Sequence, residues 1–445
     1  MTSSTEDLLQ SLLQATFRAG ADAADARISE SAGLSVEVRN GELESVERDE
    51  SRGLSLRALV GRRQAQVSGT DLSPAALKAM SERVVSMARL APEDKWCGLP
   101  DASEVTSDRP DLQLECDDTP EAPELERRAK EIEEAAMQVA GIKQMDHCGA
   151  SWSTGTTWLA ASNGFTAKKS SGISSMAGVA ISERDGAMER DYESTSERRK
   201  AKLRTPASIG KEAADRAARR LGARKIDSQT AAVIYENRLA NRLLGAFVGA
   251  ISGPAIARGT SFLKDKMGKQ VFAKGVNIID DPKRIGGFGS RGFDGEGRAV
   301  QRTALIDDGV LTQWLLSGPS ARQLGLQPNG FSSTAFGDPP SVSPSNLDIQ
   351  PGRLSLAQLM KEAGKGLLIT DMFGPSLNPN TGDYSVGVSG FWFENGERAY
   401  PVSEVTVAGD LPSMFLRAVP GSDLDIRSSS NSPSLLIDGL ALAGR

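Results

Sequence analysis

Asn237-Arg238-Leu239-Ala240-Asn241-Arg242-Leu243-Leu244-Gly245-Ala246-Phe247-Val248-Gly249-Ala250-Ile251 opens the part of this 445-residue chain around which the rest is organised. Leu239, Leu243, Leu244, Phe247, Val248 and Ile251 recur at three- and four-residue spacings, so a helix over 237–251 has one apolar face and is expected to pack on a sheet. Downstream lies Gly286-Gly287-Phe288-Gly289-Ser290-Arg291-Gly292-Phe293-Asp294-Gly295-Glu296-Gly297, too glycine-dense for the interior of a helix or strand. A shaped loop is predicted there. Asp308-Gly309 then separates 302–307 from 310–316 and suits the type I′ turn of a two-residue hairpin.

Working outward, a helix is expected over 5–18, with Glu6 and Asp7 in its first turn and Leu8, Leu9, Leu12, Leu13 and Phe17 on one side. Asn40-Gly41 marks a hairpin between 34–39 and 42–48, and 53–60 with 63–68 reads as a further strand pair. Helices follow over 73–90, 123–139 and 206–221, and the segment 100–123 has the composition of a linker. Between the last two helices, 142–147, 150–157, 157–162, 166–171, 175–183 and 187–194 read as short strands of a meander. Later come a strand at 231–235, one or two helical turns at 261–267, an irregular stretch over 325–344, a helix at 356–362 and a strand at 366–371. Asn395-Gly396 marks a hairpin between 386–394 and 397–402, and the tail holds segments at 425–430 and 435–440. Antiparallel pairing dominates, so the class is α+β: an N-terminal α/β part with antiparallel sheet and helices, and a C-terminal, largely antiparallel β domain with a few helices. The expected division is 1–115, 116–226 and 227–445.

Composition excludes several functions. Net charge is −6 with acids and bases intermixed, so no broad cationic face for nucleic acid is expected. The absence of a long apolar run points to a soluble, cytoplasmic chain with no membrane partner. Cys97, Cys116 and Cys148 are odd in number and lack CxxC spacing, which argues against disulfides and a cysteine zinc cluster. His147 is the one histidine, so any mechanism needing two is excluded.

Gly287-Phe288-Gly289-Ser290-Arg291-Gly292 has the GxGxxG pattern of a dinucleotide loop, but Asp294-Gly295-Glu296-Gly297 follows where a helix is needed, so a structural loop is favoured. Asp294 and Glu296 lack the spaced acids of a calcium loop and are expected as solvated turn carboxylates. GxSxG, GxxxxGK[ST] and HExxH are absent. Gly382-Asp383-Tyr384-Ser385-Val386-Gly387 joins a turn, an acid and two hydroxyls, which by chemistry alone is more often a satisfied loop than a ligand contact.

Several ordered blocks carry a family resemblance. Gly382-Asp383-Tyr384-Ser385, Gly390-Phe391-Trp392-Phe393-Glu394-Asn395-Gly396-Glu397, Tyr400-Pro401-Val402-Ser403-Glu404, Phe293-Asp294-Gly295-Glu296-Gly297 and Asp308-Gly309-Val310-Leu311-Thr312-Gln313-Trp314-Leu315-Leu316 resemble the TldD/PmbA family. That family is a two-component peptidase system in which a TldD subunit has an HExxxH zinc helix and a TldE (PmbA) subunit of similar fold lacks the ligands. On this chain the first His falls at Asn241, the Glu at Arg242 and the second His at Ala246. An amide, a guanidinium and a methyl group neither bind zinc as imidazole does nor activate its water. The resemblance therefore implies a TldE-type subunit with no metal or catalytic residue of its own. Zinc is expected in a TldD-like metallopeptidase partner that cleaves an unfolded peptide, which this chain helps to enclose. Asp383, Tyr384, Ser385, Gly387 and Ser389 are the expected peptide-binding residues, with strand addition at a sheet edge near 386–393. The alternative is a metal-free peptide-binding or scaffolding homodimer without protease activity.

Overall fold

The computed structural model describes residues 4–334 and 339–445. In the first half, α1 (Thr5–Arg18), β1 (Ala23–Arg39), β2 (Glu42–Val60), β3 (Arg63–Gly69), α2 (Pro74–Leu90), α3 (Ala122–Met137), β4 (Ile142–Ala161), β5 (Thr166–Arg184), β6 (Ala187–Glu197) and α4 (Pro206–Arg220) build one layered unit. Its six strands lie in the order β3-β2-β1-β4-β5-β6, every neighbour antiparallel. Pairing of β1 with β4 runs from Asp25↔Ala161 to Val38↔Cys148, so the segments on either side of the 100–123 linker share one sheet.

The short strands expected at 34–39, 42–48, 53–60, 142–147, 150–157 and 157–162 prove to be pieces of strands 17 to 20 residues long. Glycines such as Gly33, Gly149 and Gly155 read locally as breaks. Inside a sheet paired on both sides the ladder holds their backbone extended, so they interrupt the side-chain pattern but not the strand. Alternation decides which face is covered. Ala24, Ala26, Ile28, Leu54 and Leu56 pack with Leu9, Leu12, Val84 and Val85 of α1 and α2. On the same face, Val36, Ala150, Met176 and Ala180 pack with Ile132 of α3 and Ile209 and Ala213 of α4. The opposite face, through Ser29, Ser31, Ser35, Ser151 and Ser153, is open or half-open.

The second half contains β7 (Gln229–Tyr235), α5 (Asn237–Ala250), α6 (Gly253–Ala257), β8 (Ile278–Asp280), β9 (Thr303–Asp307), β10 (Val310–Leu311), α7 (Gly318–Leu324), β11 (Ser332–Ser333), β12 (Ser341–Val342) and β13 (Leu347–Ile349). It continues with α8 (Leu356–Ala363), β14 (Lys365–Leu377), β15 (Asp383–Glu394), β16 (Glu397–Asp410), α9 (Leu411–Leu416), β17 (Val419–Pro420), β18 (Ser430–Asn431) and β19 (Leu435–Ala443). Strands β16-β15-β14-β7-β19 follow one another, and β19 pairs back onto β16 at Thr406↔Ala443, closing a ring. Only β7 and β14 run parallel within it. A second sheet, β10-β9-β8-β13-β18, lies beside it. Leu239, Leu243, Leu244 and Phe247 of α5 join Val233, Leu367, Val386, Val405 and Ile437 in the largest core. The observed class is therefore the expected mixed one, with an antiparallel N-terminal sheet and a strand-dominated C-terminal part.

Some local expectations fail. No helix forms at 261–267: the Ser261 hydroxyl donates to Ala250 O at 2.5 Å and accepts from Leu263 N at 3.0 Å, and turns take the place of a helix. The strand expected over 310–316 stops at Leu311, because the chain turns away and Leu315 N donates to Ile251 O. Helices α6 and α7 went unread, although each carries a proline in its first turn, a usable start signal.

Candidate functional site

Helix α5 brings Asn241, Arg242 and Ala246 to a seam between the closed ring and the second sheet. Asn241 Nδ2 donates to Ser430 O at 3.3 Å on β18, and Arg242 Nη1 donates to Met372 O at 2.9 Å on β14. Ala246 packs against the core, while Gly245 is exposed. Burial pushes the neighbouring Tyr384 hydroxyl up to about 12, against the opposing pull of the Arg242 charge and the Tyr235 hydroxyl. These side chains do not fit a zinc ion, since none is a donor of the kind zinc takes and the guanidinium repels a cation. Among the described residues, no three of His, Cys, Asp and Glu converge on a possible ion site. His147 sits on β4, its Nδ1 3.5 Å from Glu37 of β1, in the other half of the chain. The three cysteines are free, and burial pushes the Cys148 thiol up to about 12.

The five expected peptide-binding residues all fall on β15, but on different sides of it. Asp383 is exposed and accepts from Thr381 Oγ1 at 2.6 Å, and Ser385 and Gly387 are half-buried. Tyr384 points into the main core beside Val386 and Val388. Ser389 is buried and accepts a hydrogen bond from Arg220 Nη2 at 2.8 Å, tying α4 to the ring. Strand addition at 386–393 is not available. That stretch is paired with β14 on one side and β16 on the other, so it has no free edge.

The glycine loop is not followed by a helix, and side chains from distant segments hold its shape. Arg198, at the end of β6 and 8% exposed, donates to Gly286 O, Gly287 O and Phe288 O of the loop and also to Leu114 O and Gly172 O. One planar guanidinium thus ties the loop, the linker and β5 together. A Cβ at Gly289 would collide with the Ser345 carbonyl, so this position admits only glycine. Asp294 and Glu296 are not solvated, contrary to the sequence reading: they are 2% and 7% exposed. Asp294 Oδ1 accepts from the N–H groups of Glu296 and Arg298, each at 2.9 Å, and Glu296 Oε2 accepts from Gly318 N at 2.7 Å. Gly295 and Gly297 let the chain fold back so that these donors converge, which no local pattern announces.

Between this loop and the helix-free sheet face lies a cleft of about 750 Å³. Its cations are Arg27 of β1, Arg109 of the linker, Lys168 and Lys169 of β5, Arg199 after β6 and Arg291 of the loop. Sequence reasoning missed them because they come from five separate segments, each unremarkable alone.

With this geometry in view, sequence models of PmbA/TldA metallopeptidase domains match three successive stretches: domain 1 at residues 24–88, the central domain at 114–221 and the C-terminal domain at 228–444. The first two contribute β1 to β3 and β4 to β6 of the one large sheet, and the third contains the ring and α5. Fold and sequence together define a chain of metallopeptidase-type architecture. It belongs to the TldD/PmbA family. The chain is 37% identical over 430 residues to the metalloprotease PmbA of Escherichia coli O157:H7, spanning 95% of this chain and 93% of that protein. It is 33% identical over 434 residues to the metalloprotease PmbA homolog of Haemophilus influenzae, with coverage of 96% and 93%. A crystal structure of a proposed modulator of DNA gyrase from Bacteroides thetaiotaomicron aligns with a TM-score of 0.92 and 26% identity over 99% of this chain and 100% of that one. The structure of TldE from Thermococcus kodakarensis aligns with a TM-score of 0.86 over 98% and 100%, and its 17% identity shows a shared fold alone.

Proposed function

We propose that this chain is the metal-free subunit of a TldD/TldE-type peptidase, where it holds an unfolded peptide for a zinc-bearing partner in the cytoplasm. One observation supports the reading: Asn241, Arg242 and Ala246, the residues onto which the family resemblance sets the zinc motif, include no metal donor of the usual kind, and Arg242 is spent on the Met372 carbonyl. The family's hydrolytic chemistry needs a metal to polarise the scissile carbonyl and to activate water. Among the described residues no donor set for that ion is found, and the role proposed for the chain is binding and enclosure. The experiment is purification from the native host, with mass spectrometry of bound chains, zinc analysis and peptide turnover. A stable complex with an HExxxH-bearing chain is expected, with zinc following the partner and no turnover by this chain alone. Metal-dependent turnover by a preparation free of any such partner would sink the assignment. A metal-free homodimer as the sole species would favour the scaffolding alternative instead.

A further inference from the structure

We propose that the cleft between the helix-free sheet face and the glycine loop holds an acidic segment of an extended peptide, an inference that rests on the peptide-holding role above. The first ground is charge. Six cations line the cleft against three carboxylates, Asp111, Glu115 and Asp294. Elsewhere the molecule pairs its guanidiniums freely with acids, as Glu193 does with Arg204, Arg216 and Arg427. Among the described residues, none of the six cleft cations has a carboxylate at ion-pair distance. Arg199 donates to the carbonyls of Glu115 and Gln113, and Arg291 to those of Ser343 and Gly330. Arg109 donates to Thr166 O and lies 5.0 Å over the rings of Phe165 and Phe293. Arg27 reaches the carbonyl and hydroxyl of Thr334. None of these partners is a carboxylate. Arg291 Nε is in addition buried without a hydrogen-bond partner. Desolvation inside the cleft, together with the like charges of Arg291, Arg198 and Arg27, holds the Lys169 ammonium below its usual range.

The second ground is shape. From Thr157 in the cleft, the uncovered sheet face runs on through Ser29, Ser31 and Ser35 of β1 and Ser151 and Ser153 of β4. These residues are small and hydroxyl-bearing, with Glu37, Glu47 and Asp49 at the far end of the face away from the cleft, and strands of 17 and 20 residues make the track long enough for an extended chain. Leu112, Leu114 and Phe293 add apolar wall to the cleft itself. Guanidinium forks match carboxylates in such a setting. A nucleic acid would need a broad cationic surface, and the chain as a whole carries a net charge of −6.

The test uses the full chain and a short fluorescent peptide of glycine, serine and several glutamates, with the all-glutamine analogue as control. The acidic peptide is expected to bind about tenfold tighter at low salt and to lose that advantage as salt rises. Lys169→Gln, which removes a charge that makes no backbone hydrogen bond, should weaken it about fivefold, and Lys169→Arg should keep it, whereas Lys168, whose ammonium lies 5.5 Å over the Trp158 ring, serves as the control position. Equal binding of the two peptides, or unchanged affinity in the folded Lys169→Gln variant, overturns the proposal. So does tighter binding of a thymidine oligonucleotide of matched charge. Turnover of both peptides at equal rates by the complex with a zinc-bearing partner overturns the cleft's selectivity and leaves the subunit reading standing. Selective binding by this chain with no such partner recovered does the reverse.

Discussion

Asp294 shows how a turn residue becomes a pH-dependent one. Burial, reinforced by the nearby Glu296 carboxylate, raises its pKa from 3.8 to about 6, against the backbone N–H groups that favour the ionised form. Because the folded value lies above the unfolded one, the folded state binds the proton more tightly. That stabilising share is complete below about 3.8 and is lost as pH rises through about 6, a swing of about 3 kcal/mol. Asp294→Asn keeps an acceptor for the Glu296 and Arg298 amides but cannot ionise. Melting temperatures measured from pH 4 to 7.5 should therefore fall in the parent relative to the variant. Parallel curves would mean that Asp294 does not carry the effect. The Asp294-Gly295-Glu296 triplet was visible in sequence, but its burial was not, since the amides of Gly318 and Ser332 that face it lie far along the chain.

At the scale of elements, the glycine loop, the linker and β5 depend on Arg198. Arg198→Met preserves length and apolar stem while removing five donations to carbonyls. Those carbonyls would lose a charged donor together, so a loss of about 3 kcal/mol or more is expected. Limited proteolysis should find new cleavage within 286–297. A melting temperature within a degree of the parent's, with the loop still protected, would show that the clamp is dispensable. Elements with strong periodicity, such as α1, α2 and α5, were legible to within a residue or two, because their apolar faces and caps are local properties. Strand length was not legible, because a strand continues as far as its neighbours pair with it. A glycine in β1 or β4 cannot report that from sequence.

Across the whole molecule, a charged seam joins the sheet unit to the ring. Glu193 of β6, 1% exposed, lies 2.5 Å from Arg216 of α4 and 2.7 Å from Arg427 near β18, and Arg220 of α4 reaches Asp371 and Ser389. Glu193→Gln leaves Arg204, Arg216 and Arg427 without their shared carboxylate and should cost about 3 kcal/mol or more. Calorimetry is expected to resolve two transitions where the parent has one, as the two cores uncouple. A single transition shifted by less than a degree would refute the seam's role. By itself, the sequence determined the class, the apolar face of α5 and the tight turns, since all of these depend on residue type and spacing within one segment. Only the tertiary structure decided that two groups of strands share one sheet, that 386–393 has no free edge, and that cations from five segments meet in one cleft. Each of those depends on which distant segments pair, and pairing is settled by the burial of whole faces rather than by any local run of residues.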